Sequence, residues 1–378
     1  MQTDHRIVFA SATRMEALAD ESIALVVTSP PYPMIEMWDD CFCRQDPTIC
    51  DLLTRGDGPR AWEHMHRCLD PVWKELYRVL LPGGLACINI GDATRTVEGH
   101  FRLYANHSRI QTAALKLGFT SLPLILWRKQ TNAPNKFMGS GMLPGGAYVT
   151  LEHEYILVLR KGEKREFKAE EAKALRRRSA YFWEERNQWF SDVWLDIKGS
   201  RQSLGNPLMR TRSGAFPLEL ALRLILMYSV QGDRILDPFM GTGTTLQAAM
   251  ATGRSSVGYE IESALEPLLL GDPAALCELA NDLIDRRLND HRAFIEAHQA
   301  AGKTMKHINA NYHFPVVTQQ EKALLFPRPV EIQSEGKRRW RVAYSLQPEV
   351  DSQAQAADDR LGPAPNQRRR PRQRDLFA

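Results

Sequence analysis

Residues Ala24-Leu25-Val26-Val27-Thr28 form a continuous apolar run that follows polar Asp20, Glu21 and Ser22. Such a run predicts a strand buried on both faces, as in a parallel sheet. It ends in Ser29-Pro30-Pro31-Tyr32, and two prolines cannot continue a sheet ladder, so the chain must leave as a stiff loop at the strand's carboxyl end. That edge of an open α/β sheet is where ligands bind. An amphipathic helix is predicted over 62–80, with an interruption at Pro71, and Pro82-Gly83-Gly84 stops it before a strand over 85–90. A helix near 108–117 ends at Gly118, and strands follow around 120–127 and 155–159. Between those strands lies a stretch rich in Gly, Pro and Asn, 131–146. This alternation predicts an α/β fold with a doubly wound sheet.

Periodicity is lost over 163–209, where charge clusters such as Arg176-Arg177-Arg178 mix with Tyr181, Phe182, Trp183, Trp189, Phe190 and Trp194. It returns over 217–230, with Leu218, Ala221, Leu222, Ile225 and Leu226 at helical spacing and Pro217 suited to a first turn. A strand over 234–237, a glycine loop, a helix over 244–252 capped by Gly253 and a strand over 256–260 make a βαβ unit. More helices follow, then a small β-rich piece over 314–346 and, from Pro348, a disordered end rich in Gln, Asp, Pro and Arg.

Composition excludes some classes. The 43% hydrophobic and 25% charged content is that of an ordinary globular protein, and no stretch approaches the roughly 18 apolar residues of a membrane span. The first residues lack the apolar core of a signal peptide, so a cytoplasmic protein is expected. The formal charge is +4, but residues 360–378 carry six arginines against Asp375, which leaves −1 for residues 1–359. Net charge is thus no argument for nucleic-acid binding, which must rest on local clusters. Cys41, Cys43, Cys50 and Cys68 lie near His64 and His66, but their spacing fits no paired metal-ligand pattern. Free, partly buried cysteines and no metal are expected.

The loop Asp237-Pro238-Phe239-Met240-Gly241-Thr242-Gly243-Thr244-Thr245 follows a strand and opens a helix. Glycines at 241 and 243 allow a ligand to approach the backbone closely. Glu260 ends the next strand, 23 residues after Asp237, about where an acidic side chain accepts ribose hydroxyls in nucleotide-binding folds. Leu246 replaces the third glycine of a dinucleotide fingerprint and no lysine follows the loop, so adenosine without a phosphate chain fits better than NAD or ATP.

The string from Phe216-Pro217 through the DPFMGTGTT loop to Glu260 resembles the cofactor block of the amino-directed DNA methyltransferases. Arg78 to Gly84 and His153 to Leu157 resemble two further blocks of that family, and the catalytic motif precedes the cofactor loop, as in its permuted, β-type members. The resemblance implies a mostly parallel, seven-stranded Rossmann-like sheet and S-adenosyl-L-methionine as cofactor. By match, Phe216, Pro217, Asp237, Pro238, Phe239, Gly241, Gly243, Thr244 and Glu260 form the cofactor pocket. Ser29, Pro30, Pro31 and Tyr32 form the catalytic turn, with the Ser29 side chain and the Pro30 carbonyl as acceptors for the target amine and Tyr32 as a stacking ring. Serine at 29 resembles the cytosine-N4 enzymes, with adenine-N6 as the alternative. The implied partners are double-stranded DNA and a cognate restriction endonuclease, with the chain a monomer or dimer. The sequence is accordingly divided into a catalytic half, 1–162, a target-recognition region, 163–212, with Arg176, Arg177 and Arg178 as DNA contacts, a cofactor half, 213–290, an accessory region, 291–347, and a basic tail, 348–378.

Overall fold

Eleven strands build one central sheet in the computed structural model, which describes residues 1–129, 138–199, 216–269, 272–336 and 338–348. They are β1 (Gln2–Phe9), β2 (Ile23–Thr28), β3 (Leu80–Ile90), β4 (Phe119–Ser121), β5 (Ile125–Arg128), β6 (His153–Lys161), β7 (Val193–Trp194), β8 (Arg234–Asp237), β9 (Ser255–Glu260), β10 (Arg328–Ser334) and β11 (Arg339–Ser345). The order is β7-β5-β6-β3-β2-β8-β9-β1-β11-β10, with β4 also paired to β6. The middle five strands, β3 to β1, are mutually parallel. Beyond them β6 on one side and β11 on the other pair antiparallel. The seven strands expected are therefore exceeded, and the parallel part is the centre of a mixed sheet.

The α-helices are α1 (Asp39–Gln45), α2 (Thr48–Thr54), α3 (Gly58–Val79), α4 (Asn106–Lys116), α5 (Glu170–Arg178), α6 (Trp183–Trp189), α7 (Leu218–Tyr228), α8 (Thr244–Ala251) and α9 (Pro273–Ala300). Period-two alternation sends Ala86, Ile88, Leu157 and Leu159 to one face, against Met65, Leu69, Trp73 and Leu76 of α3. Cys87, Ile156 and Val158 point to the other, against Leu220, Leu224, Ala248 and Ala249 of α7 and α8. Both faces are covered, as the uninterrupted apolar strands demand. Each large side chain buried this way contributes about 1.5–3 kcal/mol. Helix α3 runs through Pro71 without the expected interruption; Asp57 caps it by accepting the Arg60 amide.

From β2 the chain crosses to β3 on one side, and from β8 it crosses to β9 on the other. The β2–β8 boundary is thus where the winding reverses, and the carboxyl ends of these strands flank a crevice suited to ligands. The strand expected over 120–127 is two strands, broken at Pro123, which has no amide to donate, while the Leu122 amide still bonds Val158 O. β1 has no apolar run to announce it: its inward residues are Thr3, His5 and Ile7, and His5 is satisfied by Thr3 and Ser256. β10 and β11, from the β-rich piece at 314–346, extend the central sheet through β1.

Residues 1–346 form one compact unit and 347–378 a second, in which only Gln347 and Pro348 are described. The tail expected to be disordered therefore lies outside the described residues, as do 200–212 of the recognition region and part of the Gly, Pro and Asn-rich stretch. One cysteine expectation is corrected. The Asp46-Pro47 turn folds α1 back on α2 and brings Cys43 and Cys50 into a disulfide, with Cα atoms 5.6 Å apart. Among the described residues no helix is long and apolar enough to cross a membrane.

Candidate active site

The turn Ser29 to Tyr32 and the loop Asp237 to Thr245 emerge side by side from β2 and β8, with Leu25 and Val26 paired to Ile235 and Leu236. A buried carboxylate ties them. The Thr28 hydroxyl donates to Asp237 Oδ1 at 2.6 Å, the Thr245 hydroxyl to Oδ2 at 2.7 Å and the Phe239 amide to Oδ1 at 3.1 Å. Asp237 is 2% exposed, and burial pushes its carboxyl up to about 6 against the lowering effect of those donors. Both oxygens are thereby committed inside the protein. Asp237 thereby ties the glycine loop to the end of β2, at the position that the resemblance assigns to the methionine side of the cofactor.

Beyond the carboxylate, Gly241 and Gly243 take φ of 55° and 89°, a region that glycine enters without strain. A Cβ on Gly241 would meet no atom within 4 Å, so the backbone there borders open space. Gly243 opens α8, and the helix start favours electron-rich groups. Glu260 closes the loop from β9: its carboxylate accepts the Gly241 amide at 2.8 Å and the Glu262 amide at 2.8 Å. Burial raises its pKa more than these two bonds lower it. Pro238 is buried, Phe239 packs edge-on to Trp73 at 6.1 Å, and Thr244 is half-buried in the first turn of α8. Phe216 is buried against the α7 core, and Pro217 caps that helix. The residues at this edge, an open glycine backbone beside an acidic strand end, fit a nucleoside bearing an amino-acid chain.

On the other side of β2, the Ser29 hydroxyl donates to Tyr32 Oη at 3.0 Å and Tyr32 donates to Glu154 Oε2 at 2.9 Å. Asn89 Nδ2 reaches both Tyr32 Oη, at 2.9 Å, and Glu154 Oε2, at 2.6 Å. Lys129 Nζ balances the carboxylate from 3.0 Å. Burial, then the Glu154 charge, raise the Tyr32 pKa well above the ordinary phenol range, so the phenol keeps its proton and remains a donor. The proton direction runs from Ser29 through Tyr32 to Glu154, which leaves the lone pairs of Ser29 Oγ free to accept. Gly91 admits the Tyr32 ring, since a Cβ there would come within 2.9 Å of it. Asn106 holds the turn from behind, donating to Pro33 O and Gly91 O, both at 3.0 Å.

Arg176, Arg177 and Arg178 lie elsewhere. Strand β6 carries the chain from Glu154, at the catalytic edge, to Lys161, which bonds Leu80 O at the start of β3. At about 3.3 Å per residue this is a traverse of more than 20 Å. Arg178 then bonds Gln231, just before β8, and Leu325 bonds Arg178 O. The three arginines sit at the amino edge of the parallel strands, opposite the turn and the glycine loop. Sequence clustering could not reveal this, because charge density carries no information on which edge a helix occupies. Conversely the partners Glu154, Asn89, Lys129 and Asn106 carry no motif of their own, except that Asn89 is a polar residue inside an apolar strand.

A switch-point crevice with an open glycine loop on one strand and a rigid acceptor turn on its neighbour defines an α/β transferase of nucleoside-bearing donors. Residues 23–269 match the DNA methylase family model for N6 and N4 amino methylation. The chain is 51% identical over 331 residues to the type II methyltransferase M.MthZI of Methanothermobacter thermautotrophicus, covering 87% of this chain and 92% of that one. It is 50% identical over 278 residues to M.MjaI of Methanocaldococcus jannaschii, covering 71% and 90%. A DNA modification methylase of Thermus thermophilus, TTHA0409, described as putative and solved in complex with S-adenosyl-L-methionine, shares 33% identity and a TM-score of 0.54, covering 70% of this chain and 90% of that one. The chain belongs to the N6/N4 DNA methylase family: it is a DNA methyltransferase, and S-adenosyl-L-methionine is its methyl donor.

Proposed function

We propose that the chain methylates the exocyclic N4 amine of a flipped cytosine in double-stranded DNA, as the modification half of a restriction-modification system. The observation that carries this reading is the proton direction at Ser29. An exocyclic amine is a poor nucleophile because its lone pair is delocalised into the ring. Acceptors placed against its two hydrogens favour a pyramidal nitrogen and stabilise the positive charge that develops as the methyl arrives. Ser29 Oγ, its own hydrogen committed to Tyr32, is one acceptor, and the Pro30 carbonyl, held rigid by Pro31, is the other. The Tyr32 ring stacks on the base after flipping, which costs a few kcal/mol.

Gly241, Gly243 and Thr244 carry the methionine portion of the donor, Phe216 and Phe239 flank it, and Glu260 accepts the ribose hydroxyls. Asp237 keeps this loop against the acceptor turn, so that the sulfonium methyl meets the amine in line, and orientation of this kind supplies up to about 7–11 kcal/mol. Serine at 29 favours cytosine, and the names of the two archaeal relatives, type II methyltransferases, support a restriction partner. The protein works in the cytoplasm, where its DNA is. Mass spectrometry of DNA from cells expressing the protein should show N4-methylcytosine, and sequencing of that DNA should give one site. N6-methyladenine alone would transfer the same geometry to adenine and refute the cytosine assignment.

A further inference from the structure

A two-stranded ribbon, Ala93–Val97 paired with His100–Tyr104, leaves the catalytic edge where β3 ends and lies on the body, its Glu98 turn against Gly56. Both of its stems are anchored to the acceptor turn. Gly91, two residues before it, cups the Tyr32 ring, and Asn106, two residues after it, bonds Pro33 O and Gly91 O. Arg95 pins its first strand by a paired bond to Asp39 at 2.8 and 2.7 Å. One face of the ribbon, Ala93, Val97 and Tyr104, is buried against the body. The other is not: Phe101 is 43% and Leu103 51% exposed. Phe101 stacks on Tyr148, which precedes β6, with ring centroids 4.9 Å apart and planes nearly parallel at 9°, and Tyr148 is itself 51% exposed.

Two exposed, stacked aromatics beside a catalytic turn are costly in water unless they meet a partner. Arg95 is taken up by Asp39 and Glu98 offsets Arg102, so what residues 93–104 and 138–149 offer a duplex at the catalytic edge is stacking surface and not charge. We infer that Phe101 and Tyr148 form the wedge that enters the duplex at the target pair and fills the space the flipped base leaves. The inference rests on the base-flipping reading above and assigns the duplex-opening surface to this ribbon instead of the arginines of α5.

The test uses the full chain and a short duplex carrying the site mapped by sequencing. A second duplex has a mismatched base opposite the target, so that opening it costs less. Phe101→Ala and Tyr148→Ala each remove an exposed ring and leave the core untouched. On the matched duplex kcat/KM should fall on the order of ten- to hundred-fold, the scale of a lost base–aromatic stack. On the mismatched duplex the loss should shrink to a few-fold, and S-adenosyl-L-methionine affinity should be unchanged. Placing 2-aminopurine at the target should show weaker fluorescence gain with the variants. Equal losses on both duplexes, or no loss on either, would overturn the wedge while leaving the methylation reading intact. Failure of the unsubstituted protein to methylate either duplex would overturn both.

Discussion

Replacing Asp237 with asparagine separates the shape of the buried lock from its charge. The folded protein holds a carboxyl whose pKa burial has moved from 3.8 to about 6. Between those values the folded state keeps a proton that the unfolded chain has released, so it binds more protons, and stability must fall as pH rises through the window. At about 1.4 kcal/mol for each pH unit, the ionised group costs the fold roughly 3 kcal/mol once the pH exceeds about 7. Asparagine keeps the partners: its carbonyl can accept from Thr28 and Phe239, and its amide can donate to Thr245. The Thr245 hydroxyl then turns to Val27 O, 3.2 Å away. Urea unfolding of both proteins should give nearly equal stabilities around pH 4 and an advantage for Asp237→Asn that grows to about 3 kcal/mol by about pH 8. Glu260, also raised by burial, is coupled to Asp237 and adds a smaller pH-dependent contribution to the difference. A difference that stays flat across the range would refute the buried, charge-strained lock. S-adenosyl-L-methionine affinity of the variant separates two roles: unchanged binding assigns Asp237 to the lock alone, and weakened binding gives it a ligand contact as well.

Glu154→Gln removes the charge that sets the proton direction at Tyr32; kcat should fall about ten- to hundred-fold, the worth of a charge-assisted hydrogen bond, with donor affinity unchanged in calorimetry. Gly241→Ala places a methyl in the open space beside the loop at a φ of 55°. Stability should drop by about 1 kcal/mol in thermal unfolding, while donor affinity drops more steeply, and the reverse ranking would argue against a cofactor there. Replacing Arg176, Arg177 and Arg178 together with alanine should leave the salt dependence of DNA binding unaltered, because those side chains lie at the amino edge; a shallower slope in a titration at several salt concentrations would place DNA there after all.

The uninterrupted apolar runs of β2, β3, β6, β8 and β9 announced the parallel core and its neighbour, because strands buried on both faces leave no other pattern. β1 escaped notice because its inward positions hold Thr3 and His5, whose burial is satisfied by Ser256 of β9, a partner some 250 residues away that no local window contains. The same limit governs the site. Ser29 and Asp237 were legible as the ends of motifs, but the Thr28–Asp237 bond that joins the motifs spans 209 positions and depends on the strand order. Glu154 sits in the block His153 to Leu157, yet its role appears only when β6 pairs antiparallel to β3 and turns it toward Tyr32. Motifs therefore disclosed which chemical groups are present, and the topology decided what each one does. This division explains why Asp237, matched by sequence to the cofactor pocket, also ties the glycine loop to β2. The β2–β8 boundary is the one place in the sheet where an acceptor turn and a donor loop can stand side by side, and a buried acid that both strands satisfy holds them in register across a separation too long for any loop to enforce.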